Sequence, residues 1–287
     1  MIDILNKDEL IKVLDEIKNN FKNKKDIFQK AVKLDIDEWE YETNLDDLID
    51  TIDSLKEKEY LLKKSKKEIV TGIGKVAILN SFNPISNLTA IISLIRTGNK
   101  PTLLLDDKIL ATNKVMIELI NDSLKNSKVK GAKDYKVELI QIKKPEDFIG
   151  YETKFDLLMF IGSFYEYQKF IKRIDIRSVL ISFGEISIYV DAQDEFEKVL
   201  ADISKYAYKN EIKIKYYNGD LKEAIKEINE MQNISKTVAI FTKNIDQAFE
   251  FVGDIKAENI FINKDPLKDL AIDINEEDLV IRKRIIL

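Results

Sequence analysis

From Gly74 onward the chain alternates short apolar runs with amphipathic stretches of helix length, and no other feature restricts the fold as much. Residues 76–79, 102–105, 137–142, 155–161 and 179–182 read as strands, and 86–97, 108–127, 164–173 and 193–208 as the helices between them. A strand that is apolar throughout is buried on both faces, and a parallel neighbour can be reached only by a crossover. The pattern therefore predicts an α/β fold with a doubly wound, Rossmann-like parallel sheet. A smaller series follows, with strands at 212–217, 237–241 and 259–262 and helices at 220–230 and 245–252, which predicts a reduced second α/β domain. Upstream, residues 5–66 place Leu10, Val13, Leu14 and Ile17, then Leu45, Leu48, Ile49, Ile52 and Leu55, at helical spacing, so a helical N-terminal region precedes the sheet. The last stretch, 279–287, sets Val280, Arg282 and Arg284 among isoleucines and reads as an exposed C-terminal strand able to pair with another sheet edge. The expected organisation is 1–210 for the helices and the Rossmann-like domain, 211–263 for the second α/β domain, and 264–287 for an oligomerisation tail. Self-association through that tail is expected, in its simplest form a homodimer.

Composition then removes chemistry. The 287 residues contain no cysteine and no histidine, so disulfides, thiolate ligands, thiol nucleophiles and the commonest general base are all excluded. Proton transfer would fall to a Glu, Asp, Lys or Tyr with a strongly shifted pKa. The 51 acidic and 46 basic residues are interspersed, and the run Lys63-Lys64-Ser65-Lys66-Lys67 is short and flanked by acids, so no nucleic-acid partner is expected. The apolar stretches 88–95 and 155–161 fall far short of the ~18 residues of a membrane span, and Met1-Ile2-Asp3-Ile4 lacks the regions of a signal peptide. A cytoplasmic protein without membrane contact is expected. Asp46-Asp47, Asp106-Asp107 and Glu276-Glu277-Asp278 have no ligand spacing and read as solvated surface, so no metal is expected. Gly72-Ile73-Gly74 precedes a strand rather than opening a helix, and reads as a hinge. Trp39, Phe164, Tyr165 and Tyr167 read as packing residues.

Several motifs occur in one meaningful order. Gly74-Lys75-Val76-Ala77-Ile78-Leu79-Asn80-Ser81-Phe82-Asn83-Pro84 is followed by a helix, Gly98-Asn99 and Pro101-Thr102-Leu103-Leu104-Leu105-Asp106. Then come Phe155-Asp156-Leu157-Leu158-Met159-Phe160-Ile161-Gly162-Ser163 and Leu180-Ile181-Ser182-Phe183-Gly184-Glu185. Tyr217-Asn218-Gly219-Asp220, Val238-Ala239-Ile240-Phe241-Thr242 and Ile260-Phe261-Ile262-Asn263 complete the series. This order resembles the aldehyde dehydrogenase superfamily, with a lean toward acyl-CoA reductases and glutamyl-phosphate reductases. The resemblance covers most of the chain and skips the middle of a catalytic domain.

The resemblance implies an oxidoreductase fold with NAD(P) held near Phe82, Asn83, Gly162 and Ser163, and it places Asn83 where the family holds the oxyanion of a thiolate adduct. It also exposes departures. The family's catalytic cysteine is absent, Ile181 stands where the resemblance expects a glutamate general base, the strand 101–106 lacks the lysine that the resemblance implies for the cofactor ribose, and Tyr167 replaces a glycine beside the pyrophosphate. On the residues alone, Asn83-Pro84 also reads as a turn that starts a helix, and Ser163 as a helix cap. The expected function is a non-catalytic scaffold or oligomerisation partner, of itself or of a related full-length enzyme. A nucleotide module for NAD(P) or CoA is the alternative, and a further one is an acyl-CoA or aldehyde oxidoreductase with an unidentified nucleophile.

Overall fold

A computed structural model describes residues 4–36, 45–58, 68–79, 84–105, 109–162, 164–181, 186–191, 193–209, 213–230, 237–257, 259–266 and 274–284. Trp39, the lysine run 63–67, Phe82, Asn83, Asp106, Asp107 and Ser163 lie outside them. The chain forms two compact units, the first of Met1–Ile161, Tyr167–Ile181 and Ala271–Leu287, the second of Gly162–Glu166 and Ser182–Leu270.

The first unit opens with α1 (Lys7–Asn23), α2 (Lys25–Ile36) and α3 (Leu45–Glu57). Asn6 starts α1 with a reciprocal cap: its Oδ1 accepts from the Glu9 N–H at 3.0 Å, and the Glu9 carboxylate accepts from the Asn6 N–H at 2.9 Å. The apolar spacing becomes a buried stripe of Leu10, Val13, Leu14, Ile17 and Phe21 on α1, and of Leu45, Leu48, Ile49, Ile52 and Leu55 on α3. These helices lie over a second helical layer of α4 (Pro84–Arg96) and α5 (Leu110–Asn126). Asp35, at the end of α2, accepts from the Ala111 and Thr112 N–H groups and caps α5. Every residue of α4 is buried, because the helix is covered by the sheet on one side and by α3 on the other. That accounts for the lack of a polar surface stripe: Ser86, Asn87, Thr89, Ser93 and Arg96 are buried along with its apolar residues.

The sheet beneath contains β2 (Lys75–Leu79), β3 (Lys100–Leu105), β4 (Glu138–Gln141), β5 (Leu157–Ile161) and β6 (Ser178–Ile181). Its order is β4-β3-β2-β5-β6 and every pairing is parallel. Short α6 (Phe164–Ile171) links β5 to β6. In the second unit, β7 (Ile186–Val190), α7 (Gln193–Lys209), β8 (Ile214–Tyr217), α8 (Leu221–Glu230), β9 (Thr237–Phe241), α9 (Ile245–Asp254) and β10 (Asn259–Ile262) build a second parallel sheet of order β10-β9-β7-β8.

This places the boundary earlier than the position 210 read from sequence. β7 pairs with β8 and β9, so 186–209 belongs with the second sheet. The α/β series therefore divides into two sheets, each with its own core: Leu79, Leu104, Phe148, Leu158, Phe160 and Phe170 in one, Ile188, Ile203, Ala239 and Phe241 on one face of the other.

The C-terminal strand is also engaged within its own chain. β11 (Val280–Arg284) pairs antiparallel with β1 (Glu68–Gly72) in a two-stranded ribbon, with Gly72 opposite Val280 and Glu68 opposite Arg284. Val70 and Val280 bury one face against Ile4, while Ile69 and Ile281 on the other face remain 49% and 40% exposed. A tight junction joins ribbon to sheet at the expected hinge. A Cβ on Gly72 would lie 2.3 Å from the Gly98 carbonyl oxygen, and Gly74 has φ +140° with the Asp156 carboxylate 2.2 Å from where its Cβ would be. Only glycine tolerates both approaches.

Two buried polar anchors hold the segment before β11. Arg96, at the end of α4, donates from Nε to Glu276 at 2.5 Å and from Nη1 to the Leu55 carbonyl at 2.7 Å, with both charged side chains 1% exposed. Asn99 donates to the Leu279 carbonyl and to Thr97 Oγ1, and accepts from the Gly74 N–H. Glu276 and Glu277, read as solvated acids, are therefore structural: the first is buried against Arg96, the second is paired with Arg282.

Candidate functional site

A doubly wound sheet offers a ligand crevice beyond the carboxyl ends of its strands, where the strand order reverses. In the first unit that point lies between β2 and β5, which are direct neighbours with Leu79 opposite Phe160. The chain leaves β2 into 80–83, and Pro84 opens α4 where its missing N–H costs nothing. Gly162, half-buried, follows β5 and precedes α6. Of the four predicted site residues, Gly162 is thus at the end of a switch-point strand; Phe82, Asn83 and Ser163 lie outside the described residues.

The positions that depart from the resemblance are more informative. Ile181 ends β6 at 6% exposure, an apolar side chain in the core with no proton to exchange. Tyr167 does not block the crevice: its ring packs on Phe160 with centroids 5.7 Å apart, and its hydroxyl is 2.7 Å from Ser178 Oγ. Ser178 is the first residue of β6, so the phenol reaches toward the amino end of the sheet. Gly98-Asn99 is consumed by the ribbon junction described above, with Gly98 at φ +80°.

The second sheet reverses its order between β7 and β9, and there the sequence reading missed a polar cluster around the buried Thr242. Thr242, 2% exposed, has its Oγ1 3.0 Å from both Asp191 Oδ2 and Gln247 Oε1, and it accepts from the Asn244 N–H. Asn263, at φ +53°, accepts from the Thr242 N–H at 2.9 Å and donates to the Thr242 carbonyl at 2.8 Å, extending the ladder beyond β10. Asn244 caps α9 through the Asp246 and Gln247 N–H groups. The only trace of this in the sequence is a Thr-x-Asn after an apolar run, a common turn composition. These hydrogen bonds tie Asp191, after β7, and Asn263, after β10, to Thr242, after β9, so the arrangement braces the end of the sheet.

A groove of about 400 Å3 runs between α7 and β8, lined by Val190, Glu197, Leu200, Ser204, Tyr216 and Asn218 among others. Ser204 Oγ and the Tyr216 hydroxyl are 2.7 Å apart on its wall. Nearby, the Tyr189 hydroxyl donates to the Gly219 carbonyl at 2.8 Å. Burial raises the Tyr189 pKa above the ordinary tyrosine range, with Asp191 and Asp220 adding to the effect. Among the described residues no group of three or more acidic side chains is placed to hold a metal ion, and no helix is long and apolar enough to cross a membrane.

No family model matches the chain, and no curated protein matches it by sequence. Solved structures do, over almost its entire length, and together they define the class: the chain has the fold of the aldehyde dehydrogenase superfamily. Among them, γ-glutamyl phosphate reductase from Thermotoga maritima shares 14% identity, with 99% of this chain and 94% of that chain covered at a TM-score of 0.61. Aldehyde dehydrogenase 21 from Physcomitrella patens, in complex with the reaction product succinate, shares 14% identity over 97% and 85% of the two chains at 0.64. Glyceraldehyde-3-phosphate dehydrogenase from Methanocaldococcus jannaschii, complexed with NADP, shares 14% over 98% and 90% at 0.61.

Proposed function

We propose that this chain is a non-catalytic protein of the aldehyde dehydrogenase fold, acting by association as a scaffold or oligomerisation partner of itself or of a related full-length enzyme, in the cytoplasm. The observation that carries the reading is the conjunction of that fold with a sequence containing neither cysteine nor histidine. Buried Ile181, where the resemblance expects a proton acceptor, supports it. An oxyanion contact from Asn83 has no purpose without a thiolate to generate the oxyanion. Purified protein is expected to leave NAD(P) unreduced with aldehydes, and NAD(P)H unoxidised with acyl-CoA or acyl-phosphate, at buffer-blank rates. Turnover well above the blank with any of these substrates defeats the proposal.

The order reversal between β2 and β5, with Gly162 at the end of β5, favours a second reading in which the sheet retains NAD(P) or CoA binding without chemistry. A ligand at ~100 times its Kd stabilises the folded state by about 2.7 kcal/mol. A melting temperature that stays flat across NAD, NADP and CoA removes this second reading.

A further inference from the structure

We infer that Asn218 is a site of spontaneous deamidation, at which the folded chain acquires a second carboxylate on the rim of the α7/β8 groove. Asn218-Gly219 is the only Asn-Gly pair in the 287 residues. It forms the turn from β8 to α8, and both residues are exposed. The reaction needs the Gly219 nitrogen to reach the Asn218 side-chain carbonyl, and a glycine there places no Cβ in the path. Among the described residues, neither the Asn218 carboxamide nor the Gly219 N–H makes a hydrogen bond, so neither reacting group is committed elsewhere. The flanks are tied down instead. The Gly219 carbonyl accepts from Tyr189, and Asp220 caps α8 through the Glu223 N–H at 2.9 Å. Gly219 has φ +91°, open to solvent with nothing within 4 Å of its absent Cβ.

The step balances with water as the only co-reactant. The Gly219 nitrogen, having lost its proton to solvent base, bonds to the Asn218 side-chain carbonyl carbon; the carboxamide C–N bond breaks and ammonia departs with a proton from water. One water then opens the cyclic imide at either carbonyl, giving aspartate or isoaspartate. Nothing is oxidised or reduced. The product matters because Asn218 lines the groove that already holds Glu197. A second carboxylate joins Glu197 on the rim, and the isoaspartate form also lengthens the backbone between β8 and the capped start of α8.

The test uses the full-length folded protein, held for days in mildly alkaline buffer and then digested with trypsin. The peptide spanning 216–222 is expected to lose its unmodified form and gain aspartate and isoaspartate products, faster as pH rises, with ammonia released and the other asparagine peptides unchanged. Asn218→Gln is expected to abolish the change. A 216–222 peptide that stays intact in the folded protein, while the urea-unfolded chain deamidates in the same buffer, overturns the inference.

Discussion

Arg96 and Glu276 sit 180 positions apart and meet with both side chains essentially sealed from water. Removing one member of such a pair leaves an uncompensated buried charge, which costs about 3–5 kcal/mol. Glu276→Ala is therefore expected to destabilise the first unit by that order, read as a lowered denaturant midpoint, whereas the paired replacement by apolar residues of similar volume restores most of the loss. An unchanged midpoint in the single variant contradicts this role. Sequence pattern placed Glu276 on the surface because a run of three acids is ordinarily solvated; nothing local announces that its partner lies in a distant helix. The Asn6 and Glu9 cap is the opposite case, since both partners lie within one turn of each other.

At the scale of elements, most of the fold was legible because burial on both faces writes continuous apolar runs, and α4, β3, β5 and β9 appear where those runs fall. β7 was missed as a strand of its own, although Ile186-Ser187-Ile188-Tyr189-Val190 is apolar enough. Only 182–185 separate it from β6, and so short a gap suggests one continuous feature; in fact the two strands belong to different sheets. β1 escaped notice for another reason, because a ribbon strand with one exposed face carries too few apolar residues to stand out. Its partner β11 is steadied by Arg282, which donates from Nε to Glu277 at 2.8 Å and from Nη2 to the other carboxylate oxygen. That hydrogen bond holds the Glu277 carboxyl below the ordinary glutamate range. A depressed folded pKa means the pair stabilises fully above the unfolded value of about 4.3 and loses its contribution as pH falls through the lower folded value. Both partners are more than a third exposed, so the effect is small, about 0.2–1 kcal/mol. Amide exchange in 280–284 is expected to lose protection on acidification below that range. Glu277→Gln should show the reduced protection already at neutral pH and no acidic step.

For the whole molecule, the two parallel sheets follow from periodicity, whereas of the four predicted site residues Gly162 follows β5 at the switch point and Phe82, Asn83 and Ser163 fall outside the described segments. Association is the property on which the proposed function turns. Among the described residues each strand of the β1/β11 ribbon has one edge without a partner strand, and Ile281 stands exposed beside it. Unpaired edges recruit other strands, and a lysine placed on one discourages this. Light scattering is expected to find the protein dimeric or larger and the Ile281→Lys variant monomeric, with the melting temperature of its first unit little changed. A wild-type chain that scatters as a monomer removes association through this edge.

The pairing of Glu68–Gly72 with Val280–Arg284 has a temporal side as well. On the ribosome, β1 emerges long before its mate, and all of 182–270 appears in between. N-terminal domains usually mature first during synthesis; here the five-stranded sheet of the first unit has its strands by position 181, but the β1/β11 ribbon is completed only after the strands of the second sheet have been made. A released chain truncated before position 274 would hold the strands of the second sheet and leave β1 without its partner.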